Sequence, residues 1–218
     1  MTEDMTINAF IFDLGGVLLN WDPRRLYQKR FPKMSSEEID IFFQDVDFVN
    51  WNLEQDKGRA FDEAVAELSR RFPHYDELIQ AYHRFWPDSI TGPVTGTVEI
   101  LKQIKGEGYA VYGLTNFSAE KYQIIQDKFD FIKLLDDVIV SGDVKVIKPN
   151  PVIYTLTLER IGYRAKECVY IDDSFQNIAA ARSLGFLAIH FQSPAELARE
   201  LRHLHLLGEN LYESEANL

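Results

Sequence analysis

The chain is short of cysteine, of long apolar runs and of basic charge, and each shortage removes a class of protein. Cys168 is the only cysteine in 218 residues. An internal disulfide is therefore impossible, and a reducing, cytoplasmic setting is expected. Within an apolar run, Cys168 reads as a small core residue. No apolar stretch approaches the roughly 20 residues that a membrane helix needs. The first residues carry acids and no basic-then-apolar segment, so a secretory leader is not expected either. Lys and Arg number 23 against 34 Asp and Glu, a formal net charge of −11. That balance argues against a nucleic-acid surface, which needs clustered cations. A small anionic substrate stays open, because one bound divalent cation and one lysine can reverse the local field. Histidines are five, and His203 and His205 fall on different faces of a predicted helix, which makes a shared metal improbable.

What the chain has is a set of apolar runs that stop at chemistry. Ala9-Phe10-Ile11-Phe12 ends in Asp13, followed by Leu14-Gly15-Gly16-Val17. The run is the length of a buried strand, and the glycines break it where the strand should end. Tyr109 to Leu114 runs into Thr115-Asn116, and Cys168 to Ile171 runs into Asp172-Asp173. Ser141 to Ile147 reads as a third lead-in, ending at Lys148-Pro149. In open α/β sheets ligands bind beyond the carboxyl ends of the strands, so these groups would share one rim.

The remainder divides into two textures. From Thr95 onward predicted strands and helices alternate, which implies a parallel sheet with helices on both faces. Between the first run and Gly92-Pro93 the pattern is helical, with helices expected over 23–31, 35–46, 61–72 and 75–85 and no convincing strand. Ser35 and Glu38 form a capping-box signature. A terminal helix is expected over 193–207, with fraying after Gly208. No repeat or low-complexity segment is visible. The fold class is α/β, a parallel-sheet core over residues 1–20 and 93–218 with an inserted α-helical segment over 21–92.

The four strand-end motifs, Asp13-Leu14-Gly15-Gly16-Val17, Leu114-Thr115-Asn116, Lys148-Pro149 and Asp172-Asp173 with Asn177, resemble in type and order those of the haloacid dehalogenase superfamily of aspartate-nucleophile hydrolases. The resemblance covers about residues 7 to 190, and implies a Rossmann-like core with the helical segment as its cap. It implies a phosphatase in which Asp13 forms a covalent phospho-aspartyl intermediate and Mg2+ is held by Asp13, the Gly15 backbone carbonyl and Asp173, with Asp172 in or just behind that shell. It also implies that Lys148 pairs with phosphoryl oxygens, and that Thr115, the Asn116 N–H and the amides of Leu14 and Gly15 cradle the phosphate. Asn177 would orient the acidic pair. The cap would choose the substrate, and Trp51, Asn52, Glu54 and Gln55, close to Gly58, are its candidates, although Trp51 reads equally well as bundle core.

One position departs from the family pattern. Phosphatases of this superfamily usually carry a second Asp two residues after the nucleophile, and here that residue is Gly15. Loss of a general acid–base typically costs about 10²- to 10⁴-fold. Asp22 is the nearest replacement in sequence, with a helix N-cap before Pro23 as its structural alternative. A leaving group that needs little protonation, such as that of a sugar 1-phosphate or an acyl phosphate, would also answer the loss. The first motif also resembles that of a subset of bacterial phosphatases with glycine at this position, including enzymes acting on glucose 1-phosphate. Three readings follow: a magnesium-dependent phosphatase of small phosphorylated metabolites of the sugar phosphate class, working as a monomer or homodimer; a metal-independent 2-haloacid dehalogenase; and a non-catalytic phosphate-ligand module. The acidic pair favours the first, since without a metal it would repel a carboxylate substrate.

Overall fold

A computed structural model describes residues 6–208. Its centre is a five-stranded parallel sheet of β1 (Ala9–Phe12), β4 (Ala110–Thr115), β5 (Asp137–Val140), β6 (Cys168–Asp172) and β7 (Leu187–His190), in the order β5-β4-β1-β6-β7. All four residues of β1 are buried, which is the signature of a strand covered on both faces. Phe10 and Phe12 face one apolar layer and Ala9 and Ile11 the other, as the period of two requires. The first layer takes α6 (Thr95–Gly106), α7 (Ala119–Lys128) and α11 (Pro194–His203). The second takes α9 (Pro151–Ile161) and α10 (Phe175–Ser183). Cys168 is wholly buried in the second layer.

Register places the chemistry. Phe12 of the central strand lies beside Gly113 of β4 and Ile171 of β6. The next residues along, Asp13, Leu114-Thr115 and Asp172-Asp173, therefore emerge together at one edge.

Between β1 and β4 the chain forms β2 (Leu19–Trp21), then α1 (Pro23–Arg30), α2 (Ser36–Asp45), α3 (Phe48–Asp56), α4 (Phe61–Arg71) and α5 (Asp76–Arg84), and returns through β3 (Ile90–Pro93). Tyr27, Phe42, Phe43, Phe48, Trp51, Phe61 and Tyr82 interlock within these helices, the Phe43 and Phe48 rings stacking at 4.2 Å. The expected capping box on α2 is present, with Glu38 N–H donating to Ser35 Oγ and Ser35 N–H to Glu38.

Three details correct the sequence reading. The stretch is not strand-free, because β2 and β3 pair antiparallel as its two stems. The helix α3 was not anticipated: its buried residues Phe48, Trp51, Gln55 and Asp56 mix apolar with polar groups, which blurs the helical stripe. Finally, the segment before Lys148 is no strand; the four-residue helix α8 (Ser141–Val144) and a loop carry the chain there from β5. The fraying expected after Gly208 lies outside the described residues. No helix among them is long and apolar enough to cross a membrane.

Candidate active site

Asp13 follows the central strand, held by its own N–H donating to Ile171 O at 2.8 Å. Leu14 N–H donates to Asp13 Oδ1 at 2.6 Å, so that amide is directed at the carboxylate. Lys148 Nζ lies 2.9 Å from Asp13 Oδ2 and 2.7 Å from Asp172 Oδ2, and donates to Leu114 O at 2.9 Å. The lysine is thus fixed between two carboxylates at the sheet edge, and those anions hold it cationic, well above the ordinary lysine range. Asn116 sets its backbone from the other side: Oδ1 accepts from Lys148 N–H at 2.7 Å and Nδ2 donates to Lys148 O at 3.0 Å. The Lys148–Pro149 peptide is cis. Thr115 ends β4 beside them, almost fully buried.

The two acids after β6 have different surroundings. Asp172 is wholly buried and its oxygens are occupied by Lys148, the Tyr170 hydroxyl, the Ser174 N–H and Asn177 Nδ2, the last at 3.0 and 3.1 Å. Those donors hold its pKa below the ordinary value against the cost of burial. Asp173 is exposed, and its pKa is raised by partial desolvation and by the Asp172 charge. Gly16 makes room for it. With φ of +75° that residue lies in the left-handed region, and a Cβ there would overlap the Asp173 carboxylate.

One oxygen from each of Asp13, Asp172 and Asp173 lies within 4.8 Å of the others. Burial and the two neighbouring acids push Asp13 up to about 7 despite Lys148. Three carboxylates facing one lysine leave surplus negative charge, and hard oxygens of this kind suit a divalent cation such as Mg2+. The residues present fit that ion, with Asp173 the exposed carboxylate able to face it.

The sequence profile of haloacid dehalogenase-like hydrolases matches residues 7–185. The chain belongs to that family. As a haloacid dehalogenase-like hydrolase it is 26% identical over 199 residues to the sesquiterpene phosphatase astK of Aspergillus oryzae, covering 91% of this chain and 97% of that one. It is 27% identical over 204 residues to the drimenol cyclase drtB of Aspergillus calidoustus, where it spans 91% of its own length but only 36% of the relative. The family enzyme BT-2542 of Bacteroides thetaiotaomicron, solved with magnesium and inorganic phosphate, superimposes with a TM-score of 0.67 at 26% identity, covering 86% of this chain and 95% of that one.

Beside the turn that follows Asp13 a narrow crevice opens between sheet edge and helices. Gly15 and Asn116 form its floor, and Trp21, Phe61, Tyr82 and Trp86 its aromatic walls. Asn52 and Asp56 of α3 and Lys121 of α7 bring polar groups to it. Of the substrate-contact candidates on α3, Asn52 reaches the crevice, its Oδ1 accepting from the Tyr82 hydroxyl at 2.9 Å. The expectation for three others is corrected. Trp51 is packed in the helical core against Phe48, Phe61 and Tyr82, its indole N–H donating to Ala64 O at 3.3 Å. Glu54 faces solvent and pairs with Lys57 at 2.7 Å. Gln55 is buried, donating to Trp51 O at 2.7 Å and accepting from Arg59 at 2.8 Å.

Asp22 occupies its structural alternative: Oδ1 accepts from Arg24 N–H at 3.0 Å as the N-cap of α1, and it lines an outer groove rather than the crevice. Sequence reading missed Tyr170 and Asp56. Tyr170 carried a signal, lying two residues before Asp172 on the same face of the strand. Asp56 carried none, because its place depends on how α3 docks on the core.

Proposed function

We propose that this hydrolase is a magnesium-dependent, cytoplasmic phosphatase of small phosphorylated metabolites, with sugar phosphates the class to test first, and that residues 21–92 act as its cap. The observation that carries the reading is Asp13 at the end of the central strand, bridged by Lys148 to Asp172 and faced by Asp173.

In this reading an Asp13 carboxylate oxygen attacks phosphorus, the bond to the leaving oxygen breaks, and water later cleaves the Asp13–phosphate bond. Lys148 balances the charge on nucleophile and phosphoryl oxygens. Asn116 and Asp172 keep it in place, and Asn177, Tyr170 and the Ser174 amide keep Asp172 in place. The amides of Gly15 and Asn116 and the Thr115 hydroxyl offer donors to phosphoryl oxygens. Mg2+, held by Asp13, Asp173 and the Gly15 carbonyl, with Asp172 behind, would remove the repulsion between carboxylate and phosphate. The leaving group would enter the aromatic crevice, where ring faces can stack on a sugar or shelter an apolar chain. Phosphatase activity in astK, with nearly its whole length matched, supports the reaction class.

The test is phosphate release from a panel of sugar phosphates, nucleotides and prenyl phosphates, with magnesium or EDTA, for the wild type and Asp13→Asn. Turnover that needs both magnesium and Asp13 is expected. Chloride release from 2-chloropropionate without metal, and no phosphate release, would replace this reading with the dehalogenase; silence in both would favour a phosphate-binding module.

A further inference from the structure

Gly15 leaves a gap with a definite outline. It does not have the positive φ of Gly16, and a Cβ built on it meets nothing within 4 Å. The space a side chain at position 15 would enter is therefore open, and Gly15 lines the crevice. The crevice has a carboxyl of its own, on the opposite wall.

That carboxyl is Asp56, the last residue of α3. It is 9% exposed, and no cation pairs with it among the described residues. Its side chain accepts from Asn52 Nδ2 at 3.3 Å, and the Ser118 backbone amide, also neutral, faces it. Its backbone is anchored to the core, with Ser141 Oγ donating to Asp56 O at 2.6 Å. The next turn is tied down as well, Lys145 Nζ donating to Gly58 O at 3.2 Å. Lys121, the cation nearest in the crevice, is engaged elsewhere: Nζ contacts His83 Nδ1 at 2.9 Å and donates to His83 O at 3.2 Å. A structural carboxylate would be expected to have a cation or to reach water. Asp56 has no cation among the described residues and little exposure, and it lines the same crevice as Gly15.

We propose that Asp56 supplies the general acid–base that Gly15 lacks. The inference rests on the phosphatase reading. The Asp56 carboxyl proton passes to the leaving oxygen as its bond to phosphorus breaks and the Asp13–phosphorus bond forms, so the alcohol departs neutral. The Asp56 carboxylate then takes a proton from the water that attacks phosphorus as the Asp13–phosphorus bond breaks, and the starting acid is restored. Burial raises this carboxyl to about 7, which keeps both forms accessible near neutrality.

Leaving-group dependence separates this role from a structural one. An alkyl phosphate needs the proton to leave, whereas p-nitrophenyl phosphate does not. Asp56→Asn is nearly isosteric and keeps an oxygen for Ser118. In this variant alkyl phosphate turnover should fall about 10²- to 10⁴-fold. With p-nitrophenyl phosphate it should still release a stoichiometric burst of nitrophenol, followed by slow turnover as phospho-Asp13 accumulates. The double variant Gly15→Asp with Asp56→Asn should regain alkyl phosphate turnover, since position 15 has the space for the side chain. Equal losses on both substrates with no burst and no rescue would overturn the assignment, as would an unchanged Asp56→Asn enzyme. Wild type that releases no phosphate from either substrate would instead remove the phosphatase reading, and this inference with it.

Discussion

Asp13, Asp172 and Asp173 were legible one residue at a time because each sits where a strand ends, and a parallel sheet aligns its strand ends. Lys148 was legible from its motif, although a helix and a loop rather than a strand deliver it. Asp56 was not, because a carboxylate in the middle of a helical insert has no local mark of burial. That burial has a thermodynamic consequence independent of catalysis. The folded pKa of Asp56 is about 7, against about 3.9 for an unfolded aspartate. Between those values the native state binds more protons than the unfolded chain, so this residue makes stability fall as pH rises. The contribution is fully present below about pH 4 and is lost by the time pH passes 7. Asp56→Asn does not titrate. Urea unfolding should therefore show it gaining on the wild type across that window, by up to a few kcal/mol. A constant difference at pH 4 and pH 8 would mean that Asp56 is solvated in the folded protein.

Elements were read best where their signals are local. The helices α1 and α4 start where predicted and end close to the predicted bounds, and α2 shows the capping box that Ser35 and Glu38 announced. The failures had non-local causes. The helix α3 begins at Asp47 in a left-handed conformation, φ of 50°, with no side-chain cap, so neither its start nor its stripe was visible in sequence. β2 and β3 exist because they are stems brought together by the helical insert between them, not because of their own composition. The α2 cap provides a control for the site. The Ser35 hydroxyl accepts from Glu38 N–H within the capping box, away from the crevice lining. Ser35→Ala should lower stability by about 1 kcal/mol, read as a shift in the urea midpoint, while turnover in native conditions stays at the wild-type level. A fall in turnover would show that the helical insert transmits its stability to the crevice.

At the scale of the whole molecule, the charge balance and the fold point the same way. A chain of net charge −11 gathers three of its acids at one sheet edge and offers them a single buried lysine. Folding has to hold that repulsion together, and a cation that binds only the folded form should relieve it. A ligand present at about 100 times its Kd stabilises by about 2.7 kcal/mol. In a protein of this length each kcal/mol moves Tm by about 2–4 °C. Saturating magnesium should therefore raise Tm by about 5–10 °C, and EDTA should reverse the rise. Asp173→Asn removes the carboxylate that is free to face the ion and with it part of the repulsion. That variant should melt at or above the wild type without metal and show little response to magnesium. If its Tm rises with magnesium as much as the wild type's, the ion is bound elsewhere and Asp173 is only the exposed end of a strand.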